Sequence, residues 1–199
     1  MRIEFSEGKI ELEKELTSLD RFVIDFTLIL NNLNIKYVIV SGYIPILFGR
    51  NRASEDIDML IEKIDFGKFE NFWKNMLNKF ECLNVEDIND AYRNYLLQGS
   101  SIRISKKGEF VPNMEIKLLK DNLDLWTLKW RRKVSLNKNI IFISPMELQI
   151  PFKLFLGSEK DIEDAKYLYS LFKDKIDIKL LLKFNRKLKI ESLFNKYLK

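Results

Sequence analysis

The chain has 199 residues, 46% of them hydrophobic and 32% charged, with a net charge of +5; that is apolar material for one or two cores and too much for intrinsic disorder. It contains no histidine and one cysteine, Cys82, which excludes Ser-His and Cys-His nucleophiles, histidine-held zinc, disulfide frameworks and paired-cysteine metal sites. Any catalysis must run on carboxylates, lysine, hydroxyls or a hard cation held by oxygen ligands.

The longest apolar runs, such as Tyr37 to Val40, are too short to span a bilayer, and the opening MRIEFSEGKIELEKEL alternates charged and apolar residues unlike a leader peptide. A soluble, cytoplasmic protein with no membrane association is expected. Leu19, Phe22, Val23, Phe26, Ile29, Leu30 and Leu33 recur at helical spacing and predict one long amphipathic helix over about 10–33. Lys36 to Val40 predicts a short strand running into a Ser41-Gly42 turn and a helix with Pro45 in its first turn. Asp56 to Glu62 predicts a strand, and Asp65 caps a helix reaching Phe80. Ser101 to Ser105 and Met114 to Leu119 are further strands, so the first part reads as α+β with an α/β-like core.

After residue 120 the pattern changes. Trp126 and Trp130, four apart beside Arg131, Arg132 and Lys133, read as core residues on one helix face, with an RNA-stacking clamp as the alternative. Ile140 to Ser144 is the last strand. Pro145 opens a helix kinked at Pro151 and ended by Gly157; Ser158 and Asp177 cap the next two, and 190–198 form a fourth. The organisation expected is a sheet-bearing core over 1–144 and a small helical bundle over 145–199, with a ligand cleft between them. From Lys173 to Lys199 there are nine Lys/Arg against three Asp/Glu, a basic stretch that serves as a solvated helix face or attracts polyanions.

The informative stretch is VSGYIPILFGRNRASEDIDMLI, residues 40–61. Asp56 and Asp58, two apart on a strand, project from one face and repel unless a positive charge sits beside them; a divalent cation is the obvious counter-charge. The Ser41-Gly42 turn, between strand and helix, offers backbone N–H groups to phosphate oxygens.

This stretch resembles the nucleotidyltransferase superfamily that includes DNA polymerase β, in its minimal and abortive-infection toxin-like branches. Ser41-Gly42 matches the family's turn, Gly49 the helix end, and Arg52 and Ser54 the arginine and hydroxyl residue before Asp56-Ile57-Asp58. Glu115 in NMEIKLL matches a third carboxylate, Lys153 a helix lysine, and Asp161 and Asp164 a following Asp-x-x-Asp helix. Outside the resemblance, Lys153 reads equally as a snorkelling lysine, Asp161 and Asp164 as acids stabilising a helix dipole, and Arg52 as a phosphate ligand or a partner for Glu55.

The resemblance implies a polymerase β-type core, a mixed sheet flanked by helices. It implies Mg²⁺-dependent transfer of a nucleoside monophosphate from an NTP to an acceptor hydroxyl on RNA or tRNA, a protein or a small molecule, releasing pyrophosphate. Asp56, Asp58 and Glu115 would hold Mg²⁺. Ser41, Gly42, Arg52, Ser54, Lys153, Asp161 and Asp164 would bind the nucleotide, with Lys153 gripping the triphosphate. Ser41 stands where glycine is usual and Glu115 where aspartate is usual. These departures motivate a second reading, a catalytically silent nucleotide- or partner-binding member of a toxin–antitoxin-type pair, bound to an antitoxin protein.

Overall fold

A computed structural model describes residues 1–6 and 8–198. Among the described residues nine strands form one mixed sheet in the order β1-β2-β8-β9-β3-β4-β7-β6-β5. The first hairpin pairs β1 (Arg2–Ser6) with β2 (Lys9–Glu13). The long helix expected over 10–33 is therefore shorter: α1 spans Ser18–Asn32. In β2 the apolar residues alternate, with Ile10 and Leu12 buried between outward Lys9, Glu11 and Glu13; that is a strand period, which helical spacing from Leu19 onward obscures.

What starts α1 is a reciprocal cap. Thr17 Oγ1 accepts from the Asp20 N–H at 3.1 Å, and the Asp20 carboxylate accepts from the Thr17 N–H at 2.9 Å. Asp20 is wholly buried and also meets Lys14 Nζ at 2.9 Å and the Tyr43 hydroxyl at 2.8 Å. Burial opposes its charge, yet Lys14, Thr17 and Tyr43 together hold its carboxyl below the usual range.

The central strands follow: β3 (Tyr37–Val40), then α2 (Tyr43–Leu47), then β4 (Asp56–Ile61) antiparallel to β3. As expected, Asp65 caps α3 (Phe66–Met76), accepting from the Lys68 N–H at 2.8 Å. The helix stops at Met76, short of the expected Phe80, which instead lies on β5 (Phe80–Cys82). A short α4 (Ile88–Asp90) continues through a π turn and a 3₁₀ turn into β6 (Ile102–Lys106) and β7 (Asn113–Leu118). Beyond α5 (Asn122–Lys129), β8 (Arg132–Leu136) and β9 (Asn139–Ile143) come the helices α6 (Met146–Leu156), α7 (Glu159–Phe172), α8 (Ile178–Leu188) and α9 (Glu191–Tyr197). Pro145, Gly157, Ser158 and Asp177 sit at the helix ends expected of them, and Pro151 lies inside α6.

One face of the sheet packs into the main core, which runs without a break from Ile10, Phe22 and Phe48 to Ile150, Leu168 and Phe172. Phe48 and Phe172 meet edge to face at 4.8 Å. The opposite face carries a small cluster of Val38, Leu119 and Leu128 beneath α5 and is otherwise open beside α6. The expected pair of core tryptophans is not found: Trp126 is half-buried against Phe184, and Trp130 is 55% exposed. Among the described residues no helix is long and apolar enough to cross a membrane.

Asp20 ties the start of α1 to α2, so Asp20→Asn should lower the unfolding free energy at pH 7 by about 3 kcal/mol, by stranding Lys14. Because the folded carboxyl lies below its unfolded value of about 3.9, its contribution is complete above that value and lost as pH falls toward the folded one. Urea titrations at several pH values should therefore show a shallower acid-side loss in the variant. An unchanged midpoint at pH 7 would show that Asp20 is no anchor.

Candidate active site

The site begins with a strand alternation. In β4, Ile57, Met59 and Ile61 fill the core while Asp56, Asp58 and Leu60 face the open side. β4 runs parallel to β7, and the register sets Asp56 opposite Asn113 and Asp58 opposite Glu115. The three expected carboxylates thus share one face on two neighbouring strands. On the other flank Val40 lies opposite Asp58, which brings the Ser41-Gly42 turn to the same end of the sheet.

Beside these acids lies a cleft of about 320 Å³. Asp58, Glu115 and Lys117 contribute to its floor, α5 supplies Leu123 and Thr127, and α6 supplies Leu148 and Phe152. Burial pushes the Asp58 carboxyl up and the charge of Asp56 adds to this, against the pull of Lys117, the Ser41 hydroxyl and Lys153. Lys117 is in no ion pair among the described residues, so it is a free cation in the cleft.

Two further groups were not anticipated from sequence. Asn113 donates from Nδ2 to Asp56 Oδ1 at 2.7 Å. Arg103, opposite Glu115 on β6, places Nη2 2.9 Å from Asp56 Oδ1 and Nε 3.1 Å from Glu115 Oε1. The only sequence signal for Arg103 is a cation between Ile102 and Ile104, on the face the core does not use.

Ser41 adopts φ 62°, the left-handed conformation glycine favours. Gln149, buried on α6, clamps it: the Ser41 N–H donates to Gln149 Oε1 at 3.2 Å, and Gln149 Nε2 donates to the Ser41 carbonyl at 3.0 Å. The Ser41 N–H is thereby committed within the protein. At Gly42 a Cβ would lie 2.8 Å from Arg52 Nη2 and 3.3 Å from Ser54 Oγ. Arg52 crosses there to donate to the Gly42 carbonyl at 2.8 Å, and Ser54 Oγ donates to the Asp56 carbonyl at 3.0 Å. Both residues therefore join the turn to the start of β4.

Lys153, Asp161 and Asp164 are placed differently from Asp58 and Glu115, and none of them lines the cleft. Lys153 is 2% exposed, with Nζ 2.5 Å from Asp161 Oδ1 and 3.0 Å from Asp164 Oδ2. Asp164 is wholly buried and also receives Arg52 at 3.0 Å and Arg50. Burial opposes the Asp161 charge, but Lys153 and Ser158 hold its carboxyl low. In this arrangement Lys153 is a fixed member of an ion cluster joining the 50–54 segment to α6 and α7.

No family model and no curated protein matches the sequence. Among solved structures, an antigenic nucleotidyltransferase-like protein from Paracoccidioides brasiliensis is 19% identical over 88% of this chain and 89% of its own, with a TM-score of 0.52. The antibiotic-resistance factor ANT(2'')-Ia is 9% identical over 90% of this chain and 97% of its own, with a TM-score of 0.54. The chain has a nucleotidyltransferase fold. At these identities the likeness carries the fold alone, and the chemistry rests on the chain's own side chains.

Asp56, Asp58 and Glu115 offer only hard oxygen donors, the donor type a hard divalent cation takes, and a guanidinium already bridges two of them. Among the described residues, as they stand with Arg103 between the acids, no three Asp, Glu or Cys side chains converge closely enough to hold a metal ion.

Asp164→Ala should cost about 3–5 kcal/mol in chemical denaturation, because Arg52 and Lys153 lose a buried partner. Asp161→Ala, at the solvent edge of the cluster, should cost about 1 kcal/mol or less. Equal losses would mean that the cluster is not centred on Asp164.

Proposed function

We propose that the protein transfers a nucleoside monophosphate from an NTP to an acceptor hydroxyl, releasing pyrophosphate. The observation that carries this reading is the register of β4 with β7. It sets Asp58 against Glu115, with Asp56 two residues away, beside the Ser41-Gly42 turn and a cleft. Asp56, Asp58 and Glu115 are the residues that would hold Mg²⁺. Bound there, Mg²⁺ would neutralise the triphosphate and favour the ionised acceptor.

Lys117 supplies a free ammonium for a phosphate oxygen, and Gly42, Arg52 and Ser54 fix the turn against which the phosphates rest. Arg52 and Lys153 act through the Asp164 cluster, as positioning residues. The apolar walls from Leu123, Leu148 and Phe152 hold the nucleoside and exclude water. The acceptor oxygen attacks the α-phosphorus, the bond to the bridging oxygen of the β-phosphate breaks, and the hydroxyl proton passes to Glu115. The basic stretch after Lys173 supports an RNA or tRNA acceptor, while the likeness to an antibiotic-resistance factor keeps a small molecule among the acceptor classes. The second reading, a silent nucleotide- or partner-binding member of a toxin–antitoxin-type pair, is favoured by Arg103 lying among the acids.

The test is an incubation of wild type and Asp58→Ala with Mg²⁺, each α-labelled NTP in turn, total RNA and protein extract. Label transferred by wild type should fall at least about a hundredfold in Asp58→Ala; equal labelling by both would overturn the site assignment. Nucleotide binding by calorimetry with no label would support the silent reading. Lys117→Ala should raise the KM for NTP about tenfold or more, a lost charge-assisted contact, in steady-state kinetics with little change in the melting temperature.

A further inference from the structure

We propose that Arg103 is an exchangeable counter-cation of the acid cluster: its guanidinium occupies the carboxylate oxygens that a divalent cation would need, and the cluster alternates between the two. This deepens the metal-dependent reading above and rests on it. The two contacts are made to Asp56 Oδ1 and Glu115 Oε1, so one side chain spans from β6 across β7 to β4. A divalent ion and a guanidinium cannot share those oxygens without placing like charges in contact.

The contacts hold Arg103 without locking it. Its side chain is 42% exposed and that of Asp56 44%, and ion pairs so open to solvent are weak. The backbone, by contrast, is fixed. The Arg103 N–H donates to Asn84 Oδ1 at 2.8 Å, and its carbonyl accepts from the Leu83 N–H at 2.7 Å. Only the side chain need move for the oxygens to be released. Asn113 donates to the same Asp56 oxygen, Oδ1, so that carboxylate keeps a hydrogen bond when the arginine departs.

Charge counting gives the exchange its direction. Three ionised carboxylates face one guanidinium and the Lys117 ammonium, so the cluster retains net negative charge with Arg103 in place. Trading the single charge of Arg103 for a divalent ion lowers that excess. Arg103 therefore screens the repulsion between the acids when no metal is bound, and weakens metal binding by competing for the same atoms.

The test uses Mn²⁺ alone as the probe, followed by paramagnetic resonance of the free ion, with full-length wild type, Arg103→Gln, Arg103→Lys and Asp58→Asn. Arg103→Gln should bind Mn²⁺ at least tenfold more tightly than wild type. Arg103→Lys should fall between them, since an ammonium on a shorter arm cannot make both pairs, and Asp58→Asn should lose binding. Without metal, Arg103→Gln should melt below wild type, and Mn²⁺ should raise its melting temperature more than that of wild type. If Arg103→Gln does not fold, Arg103→Lys carries the same comparison. Mn²⁺ binding by wild type that is unchanged or weaker in the Arg103 variants would overturn the exchange and leave the metal reading standing. No Mn²⁺ binding by wild type or by any Arg103 variant would overturn both.

Discussion

The position of β4 between β3 and β7 is the constraint on which everything at the site depends. A strand repeats its facing every two residues, so a slip by one residue would turn Ile57, Met59 and Ile61 to the open face and drive Asp56 and Asp58 into the core. Each apolar side chain is worth about 1.5–3 kcal/mol when buried, and an unpaired carboxylate in a core is far more unfavourable. Six register pairs with β7 and four with β3 hold the strand between neighbours. The same register fixes which residue faces each acid. Glu115 meets Asp58 and Asn113 meets Asp56 in that register, and core packing on the other face forbids the one-residue slip that would turn the acids inward.

A second constraint comes from the helical part of the chain. The segment from Arg50 to Ser54 has no regular structure, yet it must present the turn and the start of β4 in a fixed relation. Asp164 accomplishes this by drawing Arg50, Arg52 and Lys153 onto one buried carboxylate. With Asp161 included, three cations meet two anions, and the excess positive charge lies near enough to act on Asp58. The helices α6 and α7 thus shape the site's electrostatics through residues that do not line the cleft. Gln149 extends the same logic to the backbone by holding Ser41 in a conformation serine resists.

What was legible in the sequence is what local pattern encodes. The alternation in DIDMLI marked a strand with both acids on one side, and Pro145, Gly157, Ser158 and Asp177 marked helix ends because capping is a local chemistry. The long helix over 10–33 failed because five alternating residues in β2 are a weak signal beside the strong helical period that follows. The short strands β5 and β8 went unseen, and Phe80 was absorbed into a helix that ends sooner. At the site, the limit was pairing across distance. Lys153 and Asp164 stood out as residue types, but their meeting with Arg50 and Arg52 depends on how α7 meets the loop. Arg103 and Gln149 could not be singled out without knowing which strand and helix lie beside β7 and Ser41.

The two departures from the expected pattern, Ser41 and Glu115, acquire physical meaning together. Ser41 reaches the left-handed conformation because Gln149 bonds both of its backbone groups, so a side chain is accommodated where glycine would need no help. Its hydroxyl pulls the Asp58 carboxyl down against the effect of burial, an influence glycine would lack. At 115, glutamate carries one more methylene than aspartate, and its carboxylate meets the Nε edge of Arg103 while Asp56 meets Nη2. Ser41 thus adds a hydroxyl beside the acid cluster, and Glu115 shares Arg103 with Asp56. Asp58 and Glu115 face one cleft, and Asp56 beside them is held by Arg103 and Asn113.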